Sequence, residues 1–147
     1  MGALREAFPD GRFNPGADFE AIAKVEESLG VALPLALKTL YLESDGFREP
    51  RGNSLYLMPL HELPKNNQFM WAELAASAPE APSPDFRSFV FFGSSSGGHW
   101  WGIRHEPPHD IIVWHHHMLD EEFDYEAVGA TILEVYLNDF AIYDELD

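Results

Sequence analysis

Between residues 22 and 46 the apolar positions fall into two runs with helical spacing, separated by helix-ending residues. Ile22, Val25 and Leu29 recur every three or four residues, which places them on one face of a helix. Asp18 stands where an N-cap belongs, and Gly30 supplies the residue that most readily ends a helix in the left-handed region. The pattern predicts a helix over 19–29. Leu33-Pro34 then begins a second one, since proline fits a first helical turn, and Leu37, Leu40 and Tyr41 form its apolar stripe before Asp45-Gly46. This second helix is expected over 34–44.

Further along, residues 55–60 read as a short strand with Pro59 at its end or edge. A third helix is expected over 67–77, followed by a loop over 78–84, where prolines remove donors and fix the backbone. The period then changes. Residues 86–92, 99–104 and 111–117 are rich in aromatic and β-branched side chains and read as strands, with a turn over 93–98 and a connection over 105–110. Residues 118–130 are acidic and predict no element. Thr131 and Glu134 have capping-box spacing, so a last helix is expected over 132–142, burying Ile132, Val135 and Tyr136. With an irregular lead-in over 1–17, the whole chain reads as one α+β domain over 1–147. In it, N-terminal helices and a C-terminal helix pack around a mainly antiparallel sheet.

Composition agrees with a domain that folds alone: 147 residues, 46% hydrophobic and 14% aromatic, are enough for a sizeable core. The formal net charge of -16 changes the functional picture more. All nine Lys and Arg lie at or before Arg104, so the remainder carries carboxylates without a Lys or Arg among them. A field of that sign repels phosphate backbones, which argues against direct nucleic-acid binding. It would favour a basic partner, or serve only solubility. No apolar run is long enough to span a bilayer, and the N-terminus lacks the apolar core of a secretory signal. Glu6 stands where a myristoylation motif wants Ser or Thr. With no cysteine, disulfide and thiolate chemistry are excluded, and a cytoplasmic location is expected.

Several constellations could carry chemistry. In a strand, His115 and His117 would share one face and His116 the other, and His99 or His105 could add a third metal ligand. The alternative is a polar strand end, and no metal or other cofactor is expected. Gly93 to Gly98 resembles a phosphate-cradling loop only in composition, because His99-Trp100 follows where a Walker loop needs Lys and then Ser or Thr. Gly93-Ser94-Ser95-Ser96-Gly97 has the letters of a nucleophile elbow without a helix after it, so no catalytic residues are assigned. Trp71, Trp100, Trp101 and Trp114 could pack in the core or form a platform. Adjacent Trp100 and Trp101 face opposite ways, and Trp101 is taken as the candidate interface anchor. The strip holding Asp120, Glu121, Glu122 and Asp124, with Phe123 and Tyr125, is either a docking strip for basic side chains or a solvated loop.

The order of these segments resembles the SUKH superfamily, which includes fungal cell-wall assembly regulators and bacterial toxin-immunity proteins. The residues that carry the resemblance are Ile22, Val25, Glu26, Leu29, Gly30, Leu33 and Pro34, then Leu40-Tyr41 and Asp45-Gly46. Leu57, Pro59, Leu60, Glu62 and Leu63 follow, then Phe92-Gly93 with Gly97-Gly98, Ile112 and Trp114, and Thr131, Glu134, Tyr136 and Leu137. The match covers about residues 19–138. The resemblance implies an α+β fold and no enzyme chemistry. For bacterial members it implies direct binding of a cognate polymorphic-toxin domain, often a nuclease or deaminase; for fungal members it implies a regulatory or scaffolding role. The expected partner-binding set is Trp101, Gly97, Gly98, Asp120, Glu121, Glu122 and Asp124, facing a basic toxin surface. A small-ligand module of the same fold is the alternative. The His triplet and the acidic C-terminal region depart from the family's usual features.

Overall fold

The chain opens with a short helix, α1 (Ala3–Ala7), and a two-residue strand, β1 (Arg12–Phe13), where the sequence predicts an irregular lead-in. The cap of α1 comes from far along the chain: the Glu43 carboxylate accepts from the backbone N–H groups of Leu4 and Arg5 at 2.9 and 2.8 Å. These observations come from a computed structural model that describes residues 2–52, 54–77, 86–94, 99–107, 109–115, 124–127 and 131–145.

Helix α2 (Phe19–Leu29) has the expected limits. The Asp18 side chain accepts from the Ala21 N–H at 2.8 Å, and Gly30 closes the helix at φ 77°. Helix α3 (Leu35–Glu43) follows, with Pro34 before it and Ser44 after it. Strands β2 (Phe47–Arg48) and β3 (Leu55–Leu57) join β1 in a three-stranded antiparallel sheet of order β1-β2-β3. A 3-10 turn (Leu60–Glu62) leads into α4 (Leu63–Ser77), which starts before the expected residue 67 because Pro64 is tolerated in a first turn. The loop expected over 78–84 lies outside the described residues.

A second sheet is an antiparallel meander of β4 (Phe89–Ser94), β5 (His99–Arg104), β6 (Ile111–His115) and β7 (Asp124–Ala127), in that order. Residues 86–88, expected as strand, form a 3-10 turn instead, and β4 runs through Gly93 and Ser94, which were expected in a turn. Strand β7 falls in the acidic stretch where no element is predicted. The final helix, α5 (Ile132–Glu145), begins with the Thr131 hydroxyl accepting from the Glu134 N–H at 3.1 Å, as the capping spacing requires, and runs beyond residue 142.

The two sheets meet along β3 and β4. The Met58 N–H donates to the Phe92 carbonyl at 2.8 Å, and Gly93 lies so close to the Tyr56 carbonyl that a Cβ there would collide with it. One face of the meander supplies Val90, Phe92, Trp101, Ile103, Ile111 and Val113 to the main core, together with α1, α2, α3, β3 and α5. The other face carries Phe89, Phe91 and Ile112 against Met70, with Trp71 and Trp100 packed on them. Helix α4 also caps the backbone of β4. The fully buried Asn67 donates to the Phe91 carbonyl at 3.0 Å and accepts from the Phe91 N–H at 2.7 Å. One turn on, the Trp71 indole N–H donates to the Phe89 carbonyl at 2.9 Å. Unpaired strand edges invite further pairing, and these side chains occupy the backbone groups that would do so. No helix among the described residues is long and apolar enough to cross a membrane.

Candidate functional site

In an antiparallel meander, alternate connections leave the same end of the sheet. Here the connection between β4 and β5, which contains Gly97 and Gly98, and the one between β6 and β7, which contains Asp120, Glu121 and Glu122, leave together. The register fixes this end: Ser94 lies opposite Trp100, and His115 lies opposite both His99 and Asp124. Gly97, Gly98, Asp120, Glu121 and Glu122 themselves lie outside the described residues, as do His116 and His117. The strands bring their attachment points to one edge of the molecule, although they are distant in sequence.

Two cross-strand rows run across this end. His99, His115 and Asp124 form one, and Trp100, Trp114 and Tyr125 form the next. The His row is a backbone alignment; among the residues whose side chains are described, no group of three His, Asp or Glu gathers as a metal-ligand set. Strands β6 and β7 and helix α5 contribute no Lys or Arg. Arg104 sits at the opposite end of the sheet, where its Nε donates to Asp110 Oδ1 at 2.6 Å and its guanidinium lies 4.6 Å above the Phe89 ring. That hydrogen bond lowers the Asp110 pKa. Arg104, neutralised by Asp110, thus stands at the end of the sheet opposite the attachment points of the acidic connection.

Trp101 has a different place from the one the sequence reading gives it. It is 3% exposed, with its ring 5.2 Å from Tyr56 and 5.5 Å from Tyr136. It is a core residue; Trp100 is the part-buried member of the pair, packed against the Phe89–Phe91 side of the sheet. Alternation shows that the two tryptophans face apart, but not which one faces α5. Trp71, another candidate platform, is held by its indole hydrogen bond to Phe89.

Beside Trp101 lies a polar cluster that the sequence reading does not identify. The Tyr56 hydroxyl donates to Asp139 Oδ2 at 2.6 Å, linking β3 to α5. Burial raises the Asp139 pKa, against lowering contributions from that hydrogen bond and from Arg51; burial and the carboxylate together raise the Tyr56 phenol well above its ordinary value. Tyr41 and Tyr136 are pushed up by burial in the same way. This cluster sits between sheet and helix and holds them together.

A family model, SMI1 / KNR4 (SUKH-1), matches residues 16–140. The chain belongs to that family. The match includes every segment on which the SUKH resemblance rests and begins after α1 and β1, so those two elements stand outside it. No curated protein matches this SUKH-1 member significantly.

Proposed function

We propose that the chain is an immunity-type binding protein that holds a cognate toxin domain and blocks its active-site cleft without catalysis of its own. The observation that carries this reading is the convergence of the glycine-bearing and acidic connections at one end of the meander. Family membership supports a toxin-immunity or related role, and the charge distribution favours a basic partner, such as the nucleic-acid-binding cleft of a nuclease or deaminase. The contact set is Asp120, Glu121, Glu122 and Asp124, with Gly97 and Gly98 allowing close backbone approach. Trp101 acts from beneath, as packing that holds β5 in place. The complex would form in the cytoplasm, where a toxin of that class finds its substrate.

Co-expression with a cognate toxin domain tests the reading. The wild-type chain should restore growth and inhibit the purified toxin at one-to-one stoichiometry. A D120K/E121K/E122K variant that is folded should fail to do so. Full protection by that variant would remove the acidic connection from the account.

A further inference from the structure

Among the described residues, five basic side chains are seen ion-paired: Arg5 with Glu43, Lys24 with Glu20, Lys38 with Glu26, Arg51 with Glu49, and Arg104 with Asp110. Arg12 and Arg48 are exposed, and neither forms an ion pair with a described residue. The strand register nevertheless sets them directly opposite each other across β1 and β2. Direct antiparallel partners stand about 5 Å apart and share a face, and like charges so placed are destabilising. In a chain with 25 acidic residues, the register thus sets two arginines directly opposite each other, neither ion-paired with a described carboxylate.

Both arginines line one pocket with Phe13, Asn14, Phe47 and Glu62. Its other groups are already occupied. The Phe13 ring is stacked on Phe47 at 4.9 Å and covered by the Arg5 guanidinium at 4.8 Å, so neither face is open to a planar ligand. The Asn14 amide donates to the Asp45 carbonyl at 2.8 Å. Gly52 leaves room for the Arg12 guanidinium, because a Cβ there would stand 2.7 Å from its central carbon. Glu62 repels an anion from its side of the pocket and confines it to the two arginines.

We propose that Arg12 and Arg48 form a phosphate-binding site, which takes the dianion as free phosphate or as a phosphomonoester. A guanidinium fork pairs with two oxygens at once. One carboxylate satisfies one fork, whereas two adjacent forks call for a group with at least three oxygens and a double charge. The remaining acidic field is screened beyond about 8 Å at physiological salt. Arg12, on β1, precedes the residues matched by the family model, whereas Arg48 lies within them. The site is independent of the toxin-binding reading, and its test needs no toxin.

NMR titration at constant ionic strength, with inorganic phosphate, glycerol phosphate and acetate, is the test. Shifts should be confined to residues 11–14 and 47–52 and should saturate at one phosphate per chain. R12K and R48K, which keep the charge but lose the fork, should each weaken binding about tenfold, and R12Q/R48Q should abolish it. Without phosphate, that double variant should melt no lower than wild type because the like-charged pair across β1 and β2 is gone; with phosphate, only the wild-type Tm should rise. Tighter binding of the ester or of the free ion supports the site and identifies its source. Phosphate shifts no larger than those from chloride, acetate binding as tight as phosphate, or unchanged binding by the double variant would overturn the proposal.

Discussion

The Tyr136 hydroxyl donates to the Tyr56 backbone carbonyl at 2.5 Å, while the two rings stack at 4.7 Å. One residue of α5 thus satisfies a buried acceptor on β3 and covers the same residue's side chain. Tyr136→Phe keeps the ring contact and leaves the acceptor without its donor, which should cost about 2 kcal/mol. Tyr136→Ala removes the ring as well and should cost about 3–5 kcal/mol. Urea unfolding of both variants measures the difference. Equal losses would mean that the hydroxyl, not the stacked ring, carries the contact.

Asn67 performs the equivalent task between α4 and β4. Asn67→Ala removes two buried hydrogen bonds, to the Phe91 N–H and carbonyl, and should lose at least ~2 kcal/mol by chemical denaturation. Asn67→Asp should also be destabilised, because a carboxylate has no donor for the Phe91 carbonyl. Hydrogen exchange at the Phe91 amide should accelerate more in Asn67→Ala than in Asn67→Asp, which keeps the acceptor.

Gly93 is required by proximity rather than by its backbone angle. Among the described residues the positive-φ glycines are Gly30, Gly46 and Gly52, and Gly93 is not one of them. Gly93→Ala pushes a methyl into the Tyr56 carbonyl and should cost about 1–3 kcal/mol through strand displacement. A Tm equal to wild type would show that β3 and β4 can separate freely.

How much of this was legible in the sequence follows from how local each cause is. The limits of α2 depend on Asp18 and Gly30, which touch their own helix, and the start of α5 depends on Thr131. By contrast, α1 is capped by Glu43, and β1 and β2 span two residues each, too few to show a period of two. Strand β7 is polar and exists through its pairing with β6. The sequence reading reaches the acidic and glycine-bearing segments one by one; it cannot show that they leave one end of the sheet, because that follows from strand order. It also misplaces Trp101, whose burial depends on which face α5 covers.

Asp139 predicts a pH dependence. Its folded-state pKa is raised above the ordinary 3.8, chiefly by burial, so the folded protein holds this proton more tightly than the unfolded chain. The stabilising contribution is then complete below the unfolded pKa and is lost as pH rises from there through the folded pKa. Asp139→Asn keeps an acceptor for the Tyr56 hydroxyl and cannot ionise. The stability of wild type relative to this variant should fall as pH rises from about 4 and level off above the raised pKa. A difference that is flat with pH, or rises with it, would contradict the assignment.

The central claim is that the end of the meander bearing the acidic connection meets the partner. Its most direct test is the rate of association with the cognate toxin domain, measured as salt is varied. Wild type should associate more slowly as salt rises. D120K/E121K/E122K should lower the low-salt rate by about 10- to 100-fold and flatten or invert that dependence. Glu106→Lys, an exposed change in the connection at the opposite end of the sheet, should have little effect. Unchanged kinetics in the triple variant, or an equal loss with Glu106→Lys, would contradict the claim.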